Sequence, residues 1–189
     1  MGAHVRLAFD SRTAAEEQGA GCYARDLLRA LRDTAGEHDE IVETHRPRGA
    51  ELFHAPWMQG AMLHSPCPMV VTLHDLATLR RPSERLRAGG IHLRMRHLAL
   101  QRASHVIVPS ETVAREAVAE LGLDRERVAV IAEPSASAAR TWEDVARETW
   151  AVYRQALTKP HRPCVTSPKR RVNRRRAASA PPGWSSAEL

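Results

Sequence analysis

The chain has 189 residues, 43% of them apolar, and a formal net charge of +6. That length supports one hydrophobic core, or one core plus a tail, and the ordinary apolar content argues for a globular domain. The charge is unevenly spread: residues 159–189 carry eight Lys or Arg and one acid, leaving 20 basic and 21 acidic groups in residues 1–158. The basic balance therefore belongs to the tail and does not point to a nucleic-acid-binding core.

The elements follow in chain order. Residues 5–9, Val-Arg-Leu-Ala-Phe, read as a strand ending at Asp10. A polar loop, 11–21, precedes Tyr23, Leu27, Leu28 and Leu31, whose spacing predicts an amphipathic helix over 22–33. Short strands are expected over 40–44 and 51–53, and a buried strand over 68–73 that stops at His74-Asp75. Residues 84–103 read as mostly helical, with Gly89-Gly90 as a break or start. Residues 105–108 form a further strand. Ser110 then supplies an N-cap, Glu111 suits the first turn, and Gly122 acts as the C-terminal cap. A last strand covers 127–131.

The pattern then changes. Residues 132–140 are mostly small, and Thr141 opens a helix that runs to about Leu157 with Trp142, Val145, Thr149, Val152 and Ala156 on one face. The expected organisation is a domain over 1–134, a linker over 135–140, a helix packing on that domain over 141–158, and a disordered basic tail over 159–189. The alternation of strands and helices predicts an α/β fold with a single doubly wound, Rossmann-like parallel sheet. Ligands of such sheets sit at the carboxyl ends of the strands. The candidates there are Asp10, the loop Gly19-Ala20-Gly21, His54, His74, Asp75 and Ser110.

Cys22, Cys67 and Cys164 show no Cys-x-x-Cys or zinc spacing and are expected to be free thiols in a reducing, cytoplasmic compartment. The N-terminus lacks the apolar core of a signal peptide, and the longest apolar stretch, 69–79, is too short to span a bilayer. No metal and no cofactor are expected. His74-Asp75 matches the start of an HD phosphohydrolase site, but that chemistry needs further ligands on helices, and this pair follows a strand. Ser110 has no nucleophile elbow around it, so capping is its first role.

Several segments, in the right order and spacing, resemble the N-terminal half of family 4 glycosyltransferases of the GT-B fold. Leu7 to Arg12 with Gly19 to Leu28 resembles the family's first strand, glycine loop and first helix. Glu51-Leu52-Phe53-His54-Ala55-Pro56 resembles its His-small-Pro step. Residues 68–76, Pro-Met-Val-Val-Thr-Leu-His-Asp-Leu, resemble its P-x-V-x-T-x-H-D-L motif. Residues 103–111 and 121–131 resemble the two strands that follow. The likeness covers about 4–134, and Trp142 to Arg154 resembles the helix that closes the whole enzyme.

The resemblance implies transfer of a sugar from a nucleotide-sugar donor to an acceptor hydroxyl, with the donor as a substrate rather than a cofactor. It implies that His74 faces the donor sugar, that Asp75 orients loops nearby, and that Gly19, Ala20 and Gly21 approach the donor phosphates. Glycines at such a turn let backbone N–H groups reach phosphate oxygens at a helix N-terminus. His54 is weighed as loop-positioning residue against cleft ligand; Asp10 and Ser110 join it as cleft candidates. The family's second, donor-binding domain has no counterpart here: only 132–140 separates the last strand from the closing helix, whereas a domain needs on the order of 100 residues. A truncated protein, weakly active or inactive alone, is therefore expected. The alternative is a non-catalytic module that binds acceptor glycans or pairs with another subunit, including a second copy of itself.

Residues 80–102 hold Arg80, Arg81, Arg85, Arg87, Arg94, Arg96 and Arg102 against Glu84, with Ile91, Met95 and Leu98 as an apolar stripe. A core-facing helix with a solvated basic face is one reading; peripheral contact with an anionic membrane is the other. The basic tail lacks interleaved aromatics and a flanking reader fold, which argues against nucleic acid as a partner.

Overall fold

The computed structural model describes residues 4–77, 89–135 and 139–158. Six strands form one sheet: β1 (Arg6–Phe9), β2 (Glu40–Glu43), β3 (Leu52–Ala55), β4 (Met69–Thr72), β5 (His105–Val108) and β6 (Val128–Val130). All pairs are parallel and the order is β2-β1-β3-β4-β5-β6. Among the described residues four α-helices accompany it: α1 (Ala20–Asp33), α2 (Gly89–Arg102), α3 (Glu111–Leu121) and α4 (Trp142–Thr158). This is an α/β, Rossmann-like fold with a single sheet. Its winding reverses between β1 and β3, and the carboxyl ends of those strands open a crevice.

The central strands β3, β4 and β5 are buried on both faces, so alternate side chains enter different cores. Leu7, Phe9, Leu52, Val70 and Ile107 join α1 and α4 on one face. Ala8, Phe53, Met69, Val71, Val106 and Val108 join α2 and α3 on the other. β3 extends through His54 and Ala55, beyond the expected end at Phe53. A histidine disguises a buried strand in sequence; here its ring nitrogens are hydrogen-bonded inside the protein, which is what permits its burial.

α1 begins at Ala20, two residues before the expected start at Cys22, because Gly19 at φ 60° turns the chain into the helix. The preceding loop contains a 3-10 turn, Arg12–Ala15. Ser110 caps α3 by accepting from the Val113 N–H at 3.3 Å, and Gly122 ends it in the left-handed region at φ 62°. α4 opens with a reciprocal cap: Asp144 accepts from the Thr141 N–H at 2.9 Å, and Thr141 Oγ1 accepts from the Asp144 N–H at 3.2 Å.

Two faces differ from expectation. α4 buries Ala146, Trp150 and Tyr153 as well as Val145, Thr149, Val152 and Ala156, while Trp142 is only half-buried. Its apolar stripe is wide because it packs on α1 and also on β3 and β4. In α2 the core face is Ala99 and Leu100, with Ala103 just beyond the helix; Met95 and Leu98 are 42% and 50% exposed. Leu100 and Ala103 pack into the second core, and the Met95–Leu98 stripe faces outward. Arg80, Arg81, Arg85 and Arg87, the side chain of Ile91, Cys164 and the basic tail lie outside the described residues.

Candidate functional site

The carboxyl ends of the strands converge. β1 runs into Asp10, whose N–H donates to the His54 carbonyl of β3 at 2.9 Å; Leu73 after β4 donates to the Ile107 carbonyl at 2.8 Å; Ile131 after β6 donates to the Val108 carbonyl at 2.9 Å. Above this rim lies a cavity of about 270 Å³. It is walled by Gly19 and Ala20 at the start of α1, by Trp57, Met58 and Gln59 after β3, by Leu73, His74 and Asp75 after β4, and by Glu133 after β6. The volume lies just below the roughly 300 Å³ lower bound of small-molecule pockets. It suits one ring or one phosphoryl group better than a whole nucleotide sugar.

His74 is held on three sides. Its Nε2 lies 3.0 Å from the Pro56 carbonyl, its Nδ1 lies 3.4 Å from Glu133 Oε1, and its ring stands T-shaped to that of Tyr23, with centroids 4.6 Å apart. A carbonyl only accepts, so Nε2 carries the hydrogen. Nδ1 then faces the Glu133 carboxylate and forms an ion pair with it whenever the ring is protonated. Asp75 is exposed and closes a local turn by accepting from the Ala77 N–H at 2.8 Å.

The glycine loop divides. Gly19 and Ala20 line the cavity, and Gly19 has open space around its Cβ position. Gly21 does not reach the cavity: a Cβ there would stand 2.3 Å from the Glu16 carbonyl and 2.7 Å from that of Thr13. Its glycine is needed so that α1 can pack on the preceding turn.

Asp10 is fully buried beneath the cavity. Arg12 grips it with Nε at 2.8 Å and a terminal nitrogen at 2.7 Å, and Trp57 Nε1 donates to it at 3.4 Å. The hydrogen bond to Asp10 raises the Arg12 pKa, against an opposing effect of burial. Asp10 thus anchors Trp57. Gly60 permits this arrangement, since a Cβ there would lie 2.3 Å from Trp57 Nε1 and 2.7 Å from Asp10 Oδ2.

His54 is not a cleft residue. It is fully buried, with Nδ1 2.5 Å from the Tyr153 hydroxyl and Nε2 3.0 Å from Thr72 Oγ1. Burial above all, and the nearby His74 next, push its pKa down to about 3, with Asp10 opposing. Burial likewise raises the phenol pKa values of Tyr23 and Tyr153. Ser110 lies outside the cavity and serves α3 as its cap.

Arg12, Trp57 and Glu133 are site residues that sequence reasoning passed over. A tryptophan directly after the His-Ala-Pro step was the available signal for Trp57. Glu133 was hidden in a small-residue stretch that follows the last strand. Among the described residues, no three His, Cys, Asp or Glu side chains are grouped to hold a metal ion. No described helix is long and apolar enough to cross a membrane. Cys22 and Cys67 form no disulfide, and burial raises the Cys67 thiol pKa.

Comparison with curated proteins finds no match. The family model described as Glycosyltransferase Family 4 matches residues 22–134, more than half of the chain, from the first turn of α1 to just past β6. The match spans β2 to β6 and includes His54, His74, Asp75 and Glu133. The chain therefore belongs to glycosyltransferase family 4.

Proposed function

We propose that this chain is the acceptor-side half of a sugar-transfer site, working on transfer from a nucleoside-diphosphate sugar to an acceptor hydroxyl. The observation that carries this reading is the cavity at the β1/β3 reversal. It combines an imidazole, His74, with the amino end of α1 at Gly19 and Ala20, and with Trp57 as an apolar wall. In such a transfer the protein positions two substrates and stabilises the departing diphosphate. The helix end is suited to an anionic phosphoryl group, and the Gln59 amide to a sugar oxygen. From Ile131 to Thr141 the chain passes directly from β6 into α4, so the cavity forms one wall of a cleft. One wall cannot seal the donor from water, and transfer by this chain alone is weak or absent.

The test is a thermal-shift titration with UDP, GDP, ADP and their sugars, in the wild type and His74→Ala. A saturable rise in Tm with one nucleotide, with affinity lowered about tenfold by the substitution, a loss of about 1.4 kcal/mol, supports the reading. A flat response to every nucleotide would remove the transferase reading and leave an acceptor-glycan-binding module.

A second surface has its own support. Met95 and Leu98 stand exposed on α2 beside the exposed Arg94. Apolar anchors among arginines suit peripheral contact with an anionic bilayer. Pelleting with phosphatidylserine vesicles at low salt is expected, with loss in Met95→Ser/Leu98→Ser; equal pelleting of the double variant would refute the contact.

A further inference from the structure

A continuous chain of buried hydrogen bonds joins the C-terminal helix to the cavity. Tyr153 of α4 bonds His54 Nδ1 at 2.5 Å, His54 Nε2 bonds Thr72 Oγ1 at 3.0 Å, and Thr72 Oγ1 bonds the Tyr23 hydroxyl at 3.2 Å. The Tyr23 ring in turn carries the edge-on contact with His74 at 4.6 Å. All four members of the chain are 4% exposed or less. The amino end of α4 touches the same ring, with Trp142 5.8 Å from Tyr23. α4 thus holds Tyr23 at two points, directly through Trp142 and at a distance through Tyr153.

We infer that Tyr153 is a positioning residue for the cavity: through His54, Thr72 and Tyr23 it fixes the orientation of His74. This deepens the proposed function and rests on the cavity being the site. The proton inventory makes the chain directional. Neutral His54 has one N–H, and each hydroxyl has one hydrogen. With the hydrogen on Nε2, Tyr153 donates to Nδ1 and the ring donates to Thr72; with it on Nδ1, the ring donates to Tyr153, Thr72 donates to Nε2, and Tyr23 donates to Thr72. Each His54 tautomer fixes the direction of the two bonds the ring makes, to Tyr153 and to Thr72. Each member of a network buried this deeply relies on its neighbours for its hydrogen bonds, so the loss of one is felt by the next. Removing the Tyr153 hydroxyl leaves His54 Nδ1 unpaired; the ring, Thr72 and Tyr23 readjust, and the edge under His74 shifts.

The experiment uses NMR of the full chain with labelled histidines. Tyr153→Phe breaks one link and Thr72→Val breaks two, each with little change in volume, so if one fails to fold the other serves. Val152→Ala is the control: Val152 is buried on the same helix and has no part in the hydrogen-bond chain. The expected result is that Tyr153→Phe and Thr72→Val displace the His74 ring resonances and alter the His54 tautomer signal, whereas Val152→Ala lowers Tm without doing either. Affinity for a nucleotide that binds the wild type should fall about tenfold in the first two variants only. His74 resonances in Tyr153→Phe or Thr72→Val that superimpose on the wild type, or equal displacement in Val152→Ala, would overturn the inference. Should no nucleotide bind, the transferase reading fails while the His74 resonances still decide this one.

Discussion

His54 is fully buried, and both of its nitrogens are hydrogen-bonded. Its pKa of about 3 in the fold, against an ordinary 6.5, makes stability depend on pH. The unfolded chain takes up the proton first as pH falls, so between 6.5 and 3 it binds more protons than the native state. The stabilisation is complete above about pH 6.5 and is lost progressively toward pH 3. From pH 7 to pH 4 this one group is expected to lower stability by roughly 3 kcal/mol. Urea unfolding at both values checks it, with His54→Gln as reference: the wild type should lose more than the variant, and equal losses would dismiss the account. At this scale the sequence showed the residues but not their neighbours. His54 stood out as a polar group at a strand end. Its partner Tyr153 lies 99 positions away, and no local pattern links the two.

At the scale of elements, end signals were the most readable feature. Ser110 and Gly122 bracket α3 as expected, because capping satisfies orphan backbone groups by purely local geometry. The same fact limits what Ser110 does. Ser110→Ala should cost about 1 kcal/mol, a fall in Tm of about 2–4 °C, and leave affinity at the cavity unchanged; a thermal melt and a ligand titration of the variant read both. Faces were less legible than ends. The Met95–Leu98 stripe has helical spacing, yet the sheet receives α2 through Ala99, Leu100 and the adjoining Ala103. Periodicity marks apolar positions on a helix; which side faces the sheet depends on how closely each can approach it.

At the scale of the whole molecule, the alternation of strands and helices pointed to the parallel α/β sheet, since parallel strands are usually joined by helical crossovers that cover the sheet. The sequence by itself also placed the chain turns at Asp10, His74 and Ser110, and the motif order pointed to the family that the match over 22–134 establishes. Tertiary structure decided which of these turns share a cavity. The strand order puts β1 beside β3, and so brings Asp10 under Trp57 and the start of α1 opposite His74. It sends Gly21 into packing and Ser110 into capping, and it recruits Glu133 from a segment with no motif. It also makes α4 part of the site's foundation through Tyr153. Backbone propensities and caps act over a few residues and are written in the local sequence. Convergence of side chains depends on sheet order and on the sum of packing contacts, which only the folded chain brings together.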